Sequence, residues 1–199
     1  MSYHFAEVAA AKGAPLLFLL HGTGGDETDL IDLGSQMMPD AHLISPRGDV
    51  SEGGALRYFK RTGEGVFDMA DLARATAKMR AFIEQHIAAL SPSWTAGLGY
   101  SNGANILASV LFGAPRLLDR AVLMHPLIPF APLSQPALAA ARVLITAGRR
   151  DPIAATALTE RLAAYFEGQG AATKLTWHDG GHELRPDEIA AAREFLASP

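Results

Sequence analysis

The chain contains no cysteine. Disulfides, thiolate metal sites and a cysteine nucleophile are excluded together, and the composition fits a reducing compartment, with the cytoplasm as the expected location. A block of basic residues is also missing. The 17 Lys and Arg are scattered against 21 Asp and Glu, the net charge is −4, and nucleic acid is not an expected partner. Long apolar runs are absent too. The longest, Ala14 to Leu20, falls far short of the roughly 20 residues needed to cross a bilayer, so no stable membrane insertion is expected. Met1 to Glu7 shows no basic flank leading into an apolar stretch, the mark of a signal peptide. What is present is ordinary for a globular chain: 199 residues, 49% hydrophobic and 19% charged, the size of one domain with a substantial core.

Short apolar runs alternate with helical patterns. Residues 3–8 read as an edge strand. Leu16-Leu17-Phe18-Leu19-Leu20 is solidly apolar, as in a strand buried on both faces of a parallel sheet. Asp26 to Met38 reads as a helix with Leu30, Leu33 and Met37 at helical spacing. His42 to Pro46 is a short strand. Residues 46–67 carry no sustained period, and a connection of that length is usually functional or disordered. Its Arg57, Tyr58, Phe59 and Phe67 predict an ordered loop that covers something.

Asp68 to Leu90 reads as a long helix, capped by Asp68 and striped by Met69, Leu72, Met79, Phe82, Ile83, Ile87 and Leu90. Further strands are expected over 95–98, 121–124, 143–147 and 175–178. A helix carrying Ile106, Leu107, Val110 and Leu111 follows the serine turn and is stopped by Gly113 and Pro115; others are expected over 154–167, with Gly168 as the residue just past its end, and from Pro186 onward. No repeat or linker interrupts the order. The pattern predicts one α/β domain over 1–199, a mostly parallel central sheet with helices on both faces and no separate lid.

In such sheets ligands bind beyond the carboxyl ends of the strands. The residues expected there are His21-Gly22-Thr23-Gly24-Gly25, Ser101-Asn102, His125-Pro126, Asp151 and His182. Ser101 stands in Gly99-Tyr100-Ser101-Asn102-Gly103, a Gly-x-Ser-x-Gly pattern between strand and helix that holds a serine hydroxyl at the apex of a sharp turn. Its bland alternative is a helix N-cap. His182 is the candidate general base and Asp151 the group that orients it. Asp151-Pro152 could equally be a cap followed by a first-turn proline, and the two roles coexist if each uses one carboxylate oxygen. Among rivals, Asp119 precedes its strand, Asp179 is three residues from His182, and Glu183 is adjacent to it. A metal site built from His178, Asp179 and His182 is disfavoured because Gly180-Gly181 breaks any helix that could align them. The backbone N–H groups of Asn102 and Thr23 are the candidate oxyanion donors. Tyr58, Phe59, Leu127 and Ile128 are the candidate apolar wall of the site, with Arg57 facing a substrate carboxylate.

The order Ser…Asp…His is that of the α/β-hydrolases. Together with Leu20 to Glu27, Pro46-Arg47-Gly48, Gly65 to Asp68, Gly99 to Asn105, Gly148 to Pro152 and Gly181-His182, it resembles the small carboxylesterase/phospholipase family. Those are compact α/β-hydrolases related to acyl-protein thioesterases and to dienelactone hydrolases. Within the family the likeness is to a bacterial branch linked to hydroquinone degradation. The resemblance implies hydrolysis of small carboxylic esters or thioesters through an acyl-serine, with no metal or organic cofactor, and a tendency to form homodimers. The likeness to dienelactone hydrolases proper stops at the nucleophile, which in them is cysteine. Two other readings share the scaffold: a ligand-binding protein without catalysis, and an acyltransferase using the same acyl-enzyme.

Overall fold

Alternation within the apolar runs decides which face of the sheet each side chain covers. In the computed structural model, which describes residues 2–198, the first strands are β1 (Phe5–Val8) and β2 (Leu16–Leu20), followed by helix α1 (Ile31–Met37) and β3 (His42–Pro46). Two small hairpins come next, β4 (Val50–Glu52) with β5 (Ala55–Arg57) and β6 (Arg61–Gly63) with β7 (Val66–Phe67). The remainder alternates: α2 (Met69–Leu90), β8 (Thr95–Tyr100), α3 (Asn102–Gly113), β9 (Arg120–Met124), β10 (Arg142–Gly148), α4 (Thr156–Gly168), β11 (Ala172–His178) and α5 (Pro186–Ala197).

The main sheet runs β1-β3-β2-β8-β9-β10-β11. Only the edge strand β1 is antiparallel; the others are parallel and so end at one common edge. All five residues of β2 are buried. Leu16, Phe18 and Leu20 join the core under α2, α3 and α4, while Leu17 and Leu19 join the one under α1 and α5. Burying a side chain of that size contributes about 1.5–3 kcal/mol, so a strand apolar at every position is stable only between two helical layers. No helix among the described residues is long and apolar enough to cross a membrane.

Several local expectations shift. The helix expected from Asp26 begins only at Ile31. Asp26 Oδ1 accepts from both the N–H (2.8 Å) and the hydroxyl (2.7 Å) of Thr28, an Asx turn that holds the preceding residues out of the helix. Asp68 does cap α2, accepting from the Asp71 N–H at 3.0 Å, but Met69 is half exposed and leaves the apolar stripe. The left-handed residue ending α4 is Gly170, at φ +82°, rather than Gly168, which remains helical. The aperiodic stretch 46–67 is the pair of hairpins. Strands of two or three residues are too short to show a period in the sequence.

Candidate active site

The chain crosses from one half of the sheet to the other between β2 and β8, where α/β sheets open a crevice at their carboxyl edge. The two strands meet in register, Leu20 opposite Gly99, so the loop after β2 lies beside the serine turn. A Cβ on Gly103 would sit 2.0 Å from the Leu20 carbonyl oxygen, and one on Gly99 2.4 Å from the Gly103 oxygen. Both glycines of the pattern are thus needed for close approach of helix to strand.

Between them Ser101 adopts φ 52°, ψ −112°, a strained conformation for a residue with a Cβ. Its hydroxyl makes no capping bond, which removes the N-cap alternative. Instead Ser101 Oγ lies 2.8 Å from His182 Nε2, and His182 Nδ1 lies 2.7 Å from Asp151 Oδ2. The second Asp151 oxygen, Oδ1, accepts from the N–H groups of Ile153 (2.8 Å) and Ala154 (3.0 Å). The carboxylate therefore serves turn and histidine with one oxygen each, although α4 itself starts later, at Thr156. Burial works to raise the Asp151 pKa, but those N–H groups and the His125 and His182 rings outweigh it and hold the carboxyl below its usual range. The Tyr100 hydroxyl donates to the His182 carbonyl at 2.6 Å and so pins the loop that carries His182. The rivals lie elsewhere: Asp119 bonds the Thr95 N–H at the opposite edge, and the Asp179 side chain is 93% exposed.

The glycine-rich loop is held from three sides. The Gly48 N–H donates to His21 Nε2 (2.9 Å), which leaves the proton on Nδ1 to bond the Gly22 carbonyl (2.7 Å). Tyr58 accepts the His21 N–H through its hydroxyl (3.1 Å), and Arg57 Nη1 donates to Thr23 Oγ1 (2.7 Å). Among the described residues, the backbone N–H groups of Thr23 and Asn102 have no hydrogen-bond partner. The Asn102 side chain is buried and accepts from the Tyr58 N–H (2.9 Å), so it braces the hairpin segment against the serine turn.

A cavity of about 180 Å³ opens beside Ser101, lined by Thr23, Arg57, Arg61, Asn102 and Leu127 among others. Of the residues expected to form its wall and to meet a substrate carboxylate, Arg57 and Leu127 line this cavity. Tyr58, Phe59 and Ile128 do not: all three are core residues and stay out of the cavity lining. The Tyr58 hydroxyl is bound to Pro46 O and the His21 N–H, and the Phe59 ring packs on Phe67 at 4.8 Å. An aromatic in an aperiodic loop signals burial, and nothing local says against what.

Behind the serine–histidine–aspartate line sits a cluster to which the sequence reading gave no role. His125 Nδ1 is 2.9 Å from the same Asp151 Oδ2, and its Nε2 is 3.2 Å from Glu188 Oε1 and 3.3 Å from His178 Nε2. Only the place of His125 after an apolar strand hinted at it. His178 Nε2 to Glu188 Oε1 is 3.5 Å, so the three atoms approach the edge lengths of a tetrahedral zinc site, about 3.3 Å. However, the Gly180 N–H donates to His178 Nδ1 at 3.0 Å. That places the His178 proton on Nε2 and removes the lone pair a cation would need. The metal constellation weighed from sequence, His178 with Asp179 and His182, does not assemble, because His178 points inward and Asp179 into solvent.

No family model matches the chain. It is 44% identical over 184 residues to the Bacillus subtilis (strain 168) protein named "Putative hydrolase MhqD", covering 90% of this chain and 91% of that one. Among solved structures, Atu2452 of Agrobacterium tumefaciens str. C58, a protein of unknown function, superposes with a TM-score of 0.94 at 54% identity, covering 98% of this chain and 96% of that one. The Bacillus cereus carboxylesterase superposes with a TM-score of 0.90 at 37% identity, over 96% of this chain and 91% of that one. With a hydrolase and a carboxylesterase matched over nearly their whole length, the chain belongs to the small carboxylesterase/phospholipase family of α/β-hydrolases, and it is an esterase-type hydrolase.

Proposed function

We propose that the protein hydrolyses carboxylic esters, and thioesters, of small molecules through an acyl-serine intermediate, with Ser101, His182 and Asp151 as nucleophile, base and orienting acid. The observation that carries this reading is the continuous hydrogen-bonded line from Ser101 Oγ through His182 to Asp151, at 2.8 and 2.7 Å, with the serine hydroxyl free of any structural bond. As Oγ attacks the acyl carbon, His182 Nε2 takes its proton, and the Asp151 carboxylate stabilises the imidazolium that forms. The carbonyl oxygen gains negative charge against the unpaired N–H groups of Thr23 and Asn102, the latter at the positive end of α3. Collapse breaks the bond to the alcohol or thiol, which leaves with the proton returned by Nε2. Water then repeats the sequence on the acyl-serine and releases the acid.

The size of the cavity, about 180 Å³, favours short acyl groups. Leu127 supplies an apolar contact, and Arg57, only 4% exposed with Nη2 free of hydrogen-bond partners among the described residues, supplies a donor for a substrate carboxylate. A panel of p-nitrophenyl esters and aryl thioesters of graded length, with Ser101→Ala as control, tests the reading. Turnover is expected to be highest for the shortest acyl groups and to vanish in a folded Ser101→Ala protein. Undiminished turnover in that variant overturns it, and transfer of the acyl group to added alcohols in preference to water redirects it to an acyltransferase.

A further inference from the structure

Asp151 answers to two histidines, and the reaction proposed above uses only one. His125, at the end of β9, is completely buried, as is the carboxylate it bonds. The hydrogen bonds around it determine where the protons are. His178 carries its proton on Nε2, because Nδ1 accepts from the Gly180 N–H. Glu188 Oε2 is bonded by the Thr146 hydroxyl (2.6 Å), and Oε1 accepts from the Arg185 N–H (2.7 Å). A neutral His125 protonated on Nδ1 would turn its Nε2 lone pair towards Glu188 Oε1 at 3.2 Å, with the His178 Nε2–H, 3.3 Å away, as its one donor. One protonated on Nε2 would turn a lone pair towards Asp151 Oδ2 at 2.9 Å. The second leaves two acceptors facing each other out of water, and either leaves two buried carboxylates with no positive charge between them, a costly arrangement. Only the doubly protonated ring donates to both carboxylates and sets a positive charge between them.

We propose that His125 is a positioning residue: a buried imidazolium, clamped between Asp151 and Glu188, that fixes the Asp151 carboxylate towards His182 and offsets part of its charge. The clamp is built from four elements. Asp151 comes from the turn after β10, Glu188 from α5, and His178 from the end of β11, with His182 on the loop beyond it. The groups facing the ring are those four and Tyr100, whose ring centroid is 5.9 Å away; the Thr146 hydroxyl reaches it only through Glu188. The backbone aims the ring as well. His125 sits at φ 52° with its N–H donated to the Thr146 carbonyl (2.8 Å), so it turns back behind the triad instead of continuing along its strand. Burial opposes a charged ring, and the bonds to Glu188 and Asp151 outweigh it, moving the His125 pKa upward.

The functional part of this inference rests on the triad reading, so its test separates the two. His125→Asn keeps an N–H donor near the Nδ1 position, tolerates positive φ and removes the charge. The ring centroids of His125 and His182 are 5.1 Å apart. Loss of a positive charge at that distance should raise the low-pH limb of the kcat/KM profile by roughly one to two pH units. Adding Glu188→Gln removes the negative charge left unpaired and should return the limb towards its original position, which a purely structural role would not do. In the wild-type protein, ¹⁵N NMR should find both His125 ring nitrogens protonated at pH 7. A neutral His125 ring overturns the proposal, as does an unmoved limb in folded His125→Asn or a shift that Glu188→Gln fails to reverse. If the wild type cleaves no ester, it is the triad reading that fails, and the NMR result still decides the charge of His125.

Discussion

Replacing Gly103 by Ala adds one methyl group where the helix that follows the serine meets the strand before the glycine-rich loop. That methyl would lie 2.0 Å from Leu20 O, 2.5 Å from Leu20 C and 2.6 Å from His21 O, all backbone atoms. Cβ contacts essentially never fall below 3.0 Å, so α3 or the end of β2 must move by about 1 Å (3.0 less 2.0). Overpacking of this kind costs about 1–3 kcal/mol, and the upper end is expected because no flexible side chain can yield. The same displacement separates Ser101 and Asn102 from Thr23, and a misplacement of about 1 Å costs on the order of 10²-fold in rate. The assay is a pair of measurements on one preparation: the urea midpoint and kcat on a short-chain ester. Gly113→Ala, at the other end of α3 with nothing within 4 Å of the added Cβ, is the control. It should be neutral or stabilise by up to about 1 kcal/mol. Wild-type stability and turnover in Gly103→Ala would refute the claim that the second glycine of the pattern is there for backbone approach.

Asp151→Asn should preserve the fold and lower kcat by on the order of 10⁴, because the amide stabilises the wrong histidine tautomer; steady-state kinetics with a circular-dichroism check reads this directly. Arg57→Ala removes the bond to Thr23 Oγ1 together with a cavity-lining charge. It should depress turnover of all esters and depress carboxylate-bearing ones further, whereas equal losses would leave Arg57 with only the loop-holding role. Stability should depend on pH in two windows. Asp151 and Glu188 have lowered pKa values in the fold, so their contribution is present above about pH 4 and is lost as the pH falls through the folded values. His125 has a raised value, so its contribution is complete below about pH 6.5 and is lost as the pH rises through the folded value. Urea midpoints between pH 3 and 9 should show both declines in the wild type and only the acid one in His125→Asn.

The strands were legible because a parallel strand buried on both faces must be apolar throughout, as Leu16–Leu20 is, and because such strands stop at residues of a different kind. The long helix α2 was legible for a similar reason: a cap at Asp68 and a regular stripe leave few alternatives. Local polar chemistry was harder to read. Asp26 resembled a helix start by composition, but its side chain closes a turn with Thr28 and delays α1 to Ile31. The hairpins over 50–67 were hidden because each strand is shorter than the pattern that would reveal it. With them went the placement of Tyr58 and Phe59, whose burial depends on how the hairpin segment folds back over Asn102 and His21.

Ser101, Asp151 and His182 could be chosen from the sequence because the parallel sheet brings every strand end to one edge, whatever order the strands take. Which strand ends are neighbours is a different matter. In the sheet, β9 lies between β8, which ends at the serine, and β10, which ends near the aspartate. His125 is therefore carried between the two, with Glu188 and His178 reaching it from 63 and 53 residues further along the chain. Sequence alone determined the alternation of elements, the common edge and the residues that arrive there, since these follow from backbone geometry and burial along the chain. Strand order and the packing of α5 decided that the aspartate has a second histidine behind it, because that contact exists only once the sheet is assembled.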